Sequence, residues 1–246
     1  MSVFVFGSLR GSPGVTTAAV LAAGCFGRGV LVEADGDGGV LALRHGLHRE
    51  PGLVTLAGSR GPGAGWESHT QLVAGVPVLV GPESPERMAR LWAHGGERLV
   101  AAVTTSFDRA APDVVVDAGR LRPGWPPAVL ASVSRLVVFV HPVAEELAVL
   151  AQRLMTWPTN PTPIGVVLAG AGPYRPGDVS EQLGVEVLAA IPIDRRAGGI
   201  VNEGGSGRVL ARSSLARAAR SLAERLVGAP PDESTSSESG SSEVAR

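Results

Sequence analysis

Residues 7–17 read Gly-Ser-Leu-Arg-Gly-Ser-Pro-Gly-Val-Thr-Thr, between the apolar run Val3–Phe6 and an alanine-rich helical pattern. Strand, glycine-rich turn and helix in that order make an anion site. Successive backbone N–H groups form a concave nest, and the helix points its positive end into it. Gly11 and Gly14 permit the tight turn, and Thr16 stands where such loops place the hydroxyl that holds Mg²⁺. Two acids, Asp35 and Asp117, follow later apolar runs, Val30–Val32 and Val114–Val116. The chemistry these residues suggest is phosphate and Mg²⁺ binding. Two positions work against it. Val15 stands where the phosphate-holding lysine belongs, and Pro13 removes one N–H from the nest.

The elements that must position these groups alternate along the chain. Strands are predicted at Val3–Phe6, Gly29–Glu33, Val76–Val80, Asp113–Asp117, Arg135–Val140, Ile164–Leu168 and Glu186–Ala190. Most are continuous Val/Leu/Ile runs, as in strands buried on both faces of a parallel sheet. Helical patterns lie between them, at about 15–26, 38–46, 84–93, 97–109, 143–155, 178–184 and 207–227. Right-handed crossovers then predict an α/β fold, a doubly wound and mostly parallel sheet flanked by helices.

The 246 residues suffice for one large domain, expected over 1–228. From Ala229 the chain carries six serines, four acids and no large apolar residue, so 229–246 is expected to be a disordered tail. All 22 basic residues are arginine. A formal charge of −1 offers no bulk signal for nucleic acid or an anionic membrane. The single cysteine, Cys25, excludes an internal disulfide framework and reads as a small buried hydrophobe. No apolar run approaches ~18 residues and the N-terminus lacks a signal-peptide pattern, so a cytoplasmic protein is expected.

Arg10-Gly11-Ser12-Pro13-Gly14-Val15-Thr16-Thr17 resembles the deviant Walker A motif of ParA/MinD-type ATPases, K-G-G-x-G-K-T-T. Residues 30–39, Val-Leu-Val-Glu-Ala-Asp-Gly-Asp-Gly-Gly, resemble that family's V-L-L-V-D-A-D-x-x-G segment. Residues 113–119 resemble its Walker B strand, and Ala190-Ile191-Pro192-Ile193-Asp194 its late I-P-x-D segment. The resemblance spans roughly residues 1–227 and implies a P-loop NTPase fold with ATP or ADP and Mg²⁺ as cofactors. It also implies roles. Arg10 takes the place of the lysine that crosses a nucleotide-sandwich homodimer. Gly11, Ser12, Gly14, Val15, Thr16 and Thr17 form the phosphate loop. Thr16 and Asp117 hold Mg²⁺, Asp35 positions the attacking water, and Pro192 and Asp194 lie beside the base. Residues 11–17, 33–39 and Pro51–Ala57 further resemble looser actinobacterial MinD-like proteins. Related TadZ/CpaE-type proteins accompany pilus and secretion machinery and often have eroded nucleotide sites.

The departures from the family pattern imply loss of hydrolysis. A charged hydrogen bond contributes ~1.5–3 kcal/mol, so loss of the lysine is expected to weaken nucleotide binding roughly 10- to 150-fold. Hydrolysis suffers more, because the transferred phosphoryl needs charge stabilisation. Codon bias toward arginine would explain Arg10 but not a valine at 15. Leu168-Ala169-Gly170 replaces an adenine-reading asparagine, and Asp117-Ala118-Gly119-Arg120 replaces the D-x-P-P turn. The expected function is therefore a non-hydrolysing scaffold or spatial regulator, possible partners being a second copy and membrane-associated pilus or secretion machinery. The alternative is an active ATPase using Arg10 in place of the lysine.

Simpler roles stand beside these. Asp35 can cap the turn after its strand, Asp117 can be a satisfied strand-end acid, Thr16 and Thr17 can start the helix, and Arg10 can be solvated. Trp66 and His69, in the glycine-rich stretch 57–70, read as surface or partly packed residues of a mobile loop. The five histidines show no metal spacing. Leu215, Ala219, Leu222 and Leu226 form an apolar stripe in the last helical pattern. It is expected to pack on the sheet rather than lie on a membrane.

Overall fold

The computed structural model describes residues 2–11, 14–59, 65–104, 113–122, 133–157, 162–203, 205 and 208–228. Ser12 and Pro13 of the loop and the expected tail at 229–246 lie outside them. Eight strands form one sheet: β1 Val3–Ser8, β2 Gly29–Glu33, β3 Gln71–Val73, β4 Val76–Leu79, β5 Asp113–Arg120, β6 Arg135–Val140, β7 Ile164–Ala169 and β8 Glu186–Ile191. Their order is β3-β4-β2-β5-β1-β6-β7-β8. All neighbours pair in parallel except the edge pair β3–β4. The Val/Leu-rich strands are buried on both faces, as their continuous apolar runs predict.

The helices are α1 Val15–Cys25, α2 Leu41–Arg44, α3 Leu53–Gly58, α4 Pro85–Thr104, α5 Ala144–Thr156, α6 Pro176–Leu183, α7 Arg195–Asn202, α8 Arg208–Ala211 and α9 Ser214–Gly228. Two hydrophobic clusters lie one on each side of the sheet. One holds Phe4, Phe6 and Phe139 with the apolar faces of α1 and α9; the other holds Val5, Val116 and Val138 with α3 and α4.

Several elements differ from the sequence reading. The patterns at 84–93 and 97–109 are one helix through Gly95-Gly96, because both glycines are buried and α3 packs against α4. That packing offsets a propensity cost of about 1 kcal/mol per glycine. The pattern at 207–227 divides in two. The Ser213 hydroxyl accepts the Ala216 N–H (3.0 Å) and starts a new helix. Residues 71–79 form a hairpin through Ala74 and Gly75, both at positive φ. Trp66 is not a surface residue: a 3₁₀ turn, Trp66–His69, folds its ring into the core beside β4 and α3. The apolar stripe of α9 is buried, and the helix packs on α1 and β8 as expected. No helix among the described residues is long and apolar enough to cross a membrane.

The chain reverses its winding at β1. β1 lies between β5 and β6, and the crossovers depart toward opposite edges of the sheet. The crevice beyond the strand C-termini at such a switch point is where open α/β sheets bind ligands.

Candidate functional site

Backbone register gathers the sequence-predicted residues at that crevice. Phe6 on β1 and Glu33 on β2 both pair with Asp117 on β5, so the loop after β1 and the acids of β2 and β5 share one sheet end. Gly14 takes a left-handed conformation before α1, and its carbonyl accepts the Ala18 N–H at 2.8 Å, the first helical bond. A cavity of about 390 Å³ lies over this end. Gly11, Gly14, Val15, Thr16, Thr17 and Asp35 all line it. A second cavity of about 310 Å³ continues toward β8 and α7, with Pro192 and Asp194 in its wall. Gly14, Thr17 and Asn202 belong to both walls, so the two form one cleft. The volumes suit a small polar ligand extended across both.

Three acids organise the phosphate end. Glu33 is buried and wholly committed to the backbone: Val40 N–H (2.6 Å) and Leu41 N–H (2.8 Å) donate to Oε1, and Gly81 N–H (2.9 Å) donates to Oε2. It fastens the loop after β2 to the end of β4, a role the sequence reading passed over. Its only signal was an acid ending an apolar run. Burial pushes its pKa up, against the pull of those donors. Asp35 stands at the cavity wall, where its Oδ1 accepts the Asp37 N–H at 2.8 Å and the Arg120 N–H also donates to its carboxylate. Burial raises its pKa too. A methyl group on Gly119 would lie 2.0 Å from the Asp35 carboxyl carbon, and Gly119 has φ +57, so only glycine fits there. That is the local reason a glycine stands after Asp117-Ala118.

Asp117 is buried and takes hydrogen bonds from the Thr16 hydroxyl and from Gly119 N–H (3.1 Å). Desolvation, reinforced by Asp35 and Glu33, raises its pKa to about 7. The Thr16–Asp117 pair offers hard oxygen donors. No group of three or more His, Cys, Asp or Glu among the described residues could hold a metal by itself. Mg²⁺ needs only one or two protein oxygens when phosphates and water complete its shell, so this pair fits Mg²⁺ brought in on a polyphosphate.

Val15 is 5% exposed and belongs to the same core cluster as Phe6, Ala19 and Phe139. The position that carries a lysine in phosphate loops is here part of the hydrophobic core. Arg10 is exposed at the start of the loop and is not in the described wall of either cavity. Two other arginines are in the phosphate wall, Arg44 and Arg120. Neither was singled out from the sequence as a site residue, because nothing in the local motif distinguishes them from solvated arginines.

The base end has a different character. Phe139, Ala169, Ile191, Pro192, Ile193 and Leu215 give it largely apolar walls. Ala169, the last residue of β7, lies in that wall. The Asp194 carboxylate is engaged in structure: it caps α7 by accepting the Ala197 N–H (2.9 Å), and it accepts the Ser214 hydroxyl at 3.4 Å.

No family model matches the chain. No curated protein matches it either. Solved structures do. A ParA family ATPase from Chlorobium tepidum superposes with TM-score 0.74 at 18% identity, covering 90% of this chain and 97% of that one. The septum site-determining protein MinD from Pyrococcus horikoshii, in complex with Mg-ADP, gives 0.69 at 19% identity, covering 92% and 96%. MinD in the MinC:MinD cell division complex of Aquifex aeolicus gives 0.69 at 17% identity, covering 94% and 97%. The chain has the ParA/MinD P-loop fold over nearly its full length.

Proposed function

We propose that this protein is a ParA/MinD-type spatial regulator that binds a Mg²⁺-nucleotide as a conformational ligand and does not turn it over. One observation carries the reading. Val15 packs into the core from the wall of a cavity at the sheet switch point, which Thr16 and Asp35 also line, with Asp117 buried behind Thr16. The Thr16–Asp117 oxygen pair supports Mg²⁺ binding, and position 15 carries no charge. Mg²⁺, when bound, would supply positive charge that offsets the charge of the phosphates. Thr16 and Asp117 would hold it, and the N–H groups at the start of α1 would receive the phosphates. Asp35 keeps the place of the residue that orients water, but its carboxylate already closes a turn through Asp37 N–H. Stabilisation of a transferred phosphoryl needs cations preorganised around it, and the loop supplies none from position 15.

The output of such a protein is a protein contact. Relatives by fold include a MinC:MinD cell division protein complex. The same kind of action here would be a homodimer across the loop face, with Arg10 exposed toward the second copy, docked on membrane-associated pilus or secretion machinery. The protein would then be cytoplasmic and held at the membrane through partners.

The test is calorimetric titration of Mg-ATP, Mg-ADP and Mg-GTP, with phosphate release measured in parallel. The expected result is binding at tens to hundreds of micromolar with no turnover above background. Steady release of phosphate would replace this reading with that of a working ATPase. No heat at millimolar nucleotide would leave a nucleotide-independent scaffold.

A further inference from the structure

We propose that Arg120 is the phosphate-holding cation of the cleft, delivered from strand β5 in place of the lysine that the loop lacks. The inference rests on the nucleotide-binding reading above and names the group that makes it possible. Its ligand class is the pyrophosphate portion of a nucleoside di- or triphosphate.

Position comes first. Arg120 ends β5 and is in register with Ser8, the last residue of β1 before the loop. The next residue, Leu121, donates its N–H to the Ser8 carbonyl at 2.8 Å, and the Arg120 N–H donates to Asp35. The backbone that carries this guanidinium is therefore fixed to both the loop strand and the acid beside the cavity.

The side chain then lies on the loop itself. A Cβ built on Gly11 would stand 2.8 Å from Arg120 Nη2, 3.6 Å from Nε and 3.7 Å from Cζ. The guanidinium lies, Nη2 foremost, in the space that a side chain at position 11 would take. Gly11, at φ +75, both makes the turn and leaves the room in which that cation rests.

Charge bookkeeping singles out the same residue. Around the phosphate end, Arg122 is paired with Asp37. Arg44 lies at the cavity wall with Nη1 directed at Asn202 Oδ1 (3.5 Å), and Arg10 is outside the described wall. The ion pairs among the described residues are Arg49–Glu83, Arg87–Glu83, Arg122–Asp37 and Arg135–Glu186. Arg120 is in none of them, although the acids Asp35 and Asp37 line the same cavity. A planar guanidinium presents its N–H groups as a fixed fork that matches two phosphate oxygens, where an ammonium on a flexible stem acts as a point charge.

The experiment compares the wild type with Arg120→Gln, Arg120→Lys and Arg122→Gln by calorimetry, using Mg-ATP, inorganic pyrophosphate and AMP. Arg120→Gln should weaken Mg-ATP and pyrophosphate roughly 10- to 150-fold, the loss expected for one charged hydrogen-bonding group. AMP should change by less than about 3-fold, Arg120→Lys should recover part of the loss, and Arg122→Gln should stay within about 3-fold of wild type. The exposed side chain should leave the ligand-free melting temperature nearly unchanged, and Arg120→Ala serves as a second deletion if the Gln variant fails to fold. Wild-type binding with equal affinity in Arg120→Gln would overturn the assignment and leave the proposed function standing. Failure of the wild type to bind either Mg-ATP or pyrophosphate at millimolar concentration would overturn both.

Discussion

The two ends of the cleft are built by opposite means. The phosphate end is a convergence of strand termini: β1, β2 and β5 bring Thr16, Asp35 and Asp117 together, with Glu33 fastening the loops behind them. Its acids are held against desolvation, and the pKa values of all three carboxylates are raised. The base end is a late addition of β8 and α7, with apolar walls and its one acid, Asp194, spent on a helix cap. Among the described residues, carboxyl groups whose pKa is raised by burial line or back only the first of these ends. Buried unpaired charge is costly and persists where a ligand or an opposing group can answer it. Under the proposed function, polar recognition falls to the end with the three acids, and the apolar end contributes shape.

The largest effect that would sharpen this contrast comes from Val15→Lys. The lysine stem can occupy the valine site while its ammonium reaches the cavity that Val15 lines. Mg-ATP affinity measured by calorimetry should rise roughly 10- to 150-fold. No gain would mean that this end lacks the geometry to receive a phosphate at the loop.

A second break lies in pH. Asp117 has a folded pKa of about 7 against an ordinary value of 3.8. A raised carboxyl pKa means that the folded state holds the proton more tightly. Its stabilising contribution is thus complete below pH 4 and lost as pH climbs through about 7. Asp35 and Glu33 shift in the same direction and add to the slope. The ligand-free protein should have a lower urea midpoint at pH 8 than at pH 6. Asp117→Asn should flatten that difference and raise stability at pH 8, while abolishing the Mg²⁺ dependence of nucleotide binding. An unchanged slope in the variant would show that the acid cluster is not the seat of the pH response.

The smallest effect concerns the base end. Asp194→Ala removes the α7 cap and should cost about 0.5–2 kcal/mol by urea unfolding. Pyrophosphate affinity should stay within about 3-fold. A larger loss of pyrophosphate binding would erase the distinction between the two ends.

Much of this was legible without coordinates. Continuous Val/Leu runs told strands buried on both faces, and the glycine turn was placed between a strand and a helix, where the fold has it. Asp35 and Asp117 were legible because each ends such a run. What escaped were elements without periodicity of their own. β3 has three residues, α3 six, and α7 is interrupted by Gly198-Gly199. The Trp66 ring was unreadable as core because its neighbours are glycine and polar residues, and only the fold around β4 and α3 supplies its apolar surroundings.

The sequence by itself determined the layered α/β architecture and the acids that face the loop, because burial on both strand faces and strand-end carboxylates are local chemical patterns. It also determined that position 15 carries no charge. Only the tertiary structure decided which arginine stands at the cavity beside the loop. Arg10 and Arg120 are alike as letters, and register alone places Arg120 beside Ser8 with its guanidinium on Gly11. That proximity joins residues more than a hundred positions apart. It comes from parallel strand pairing, whose geometry is set across the whole sheet rather than along any one segment.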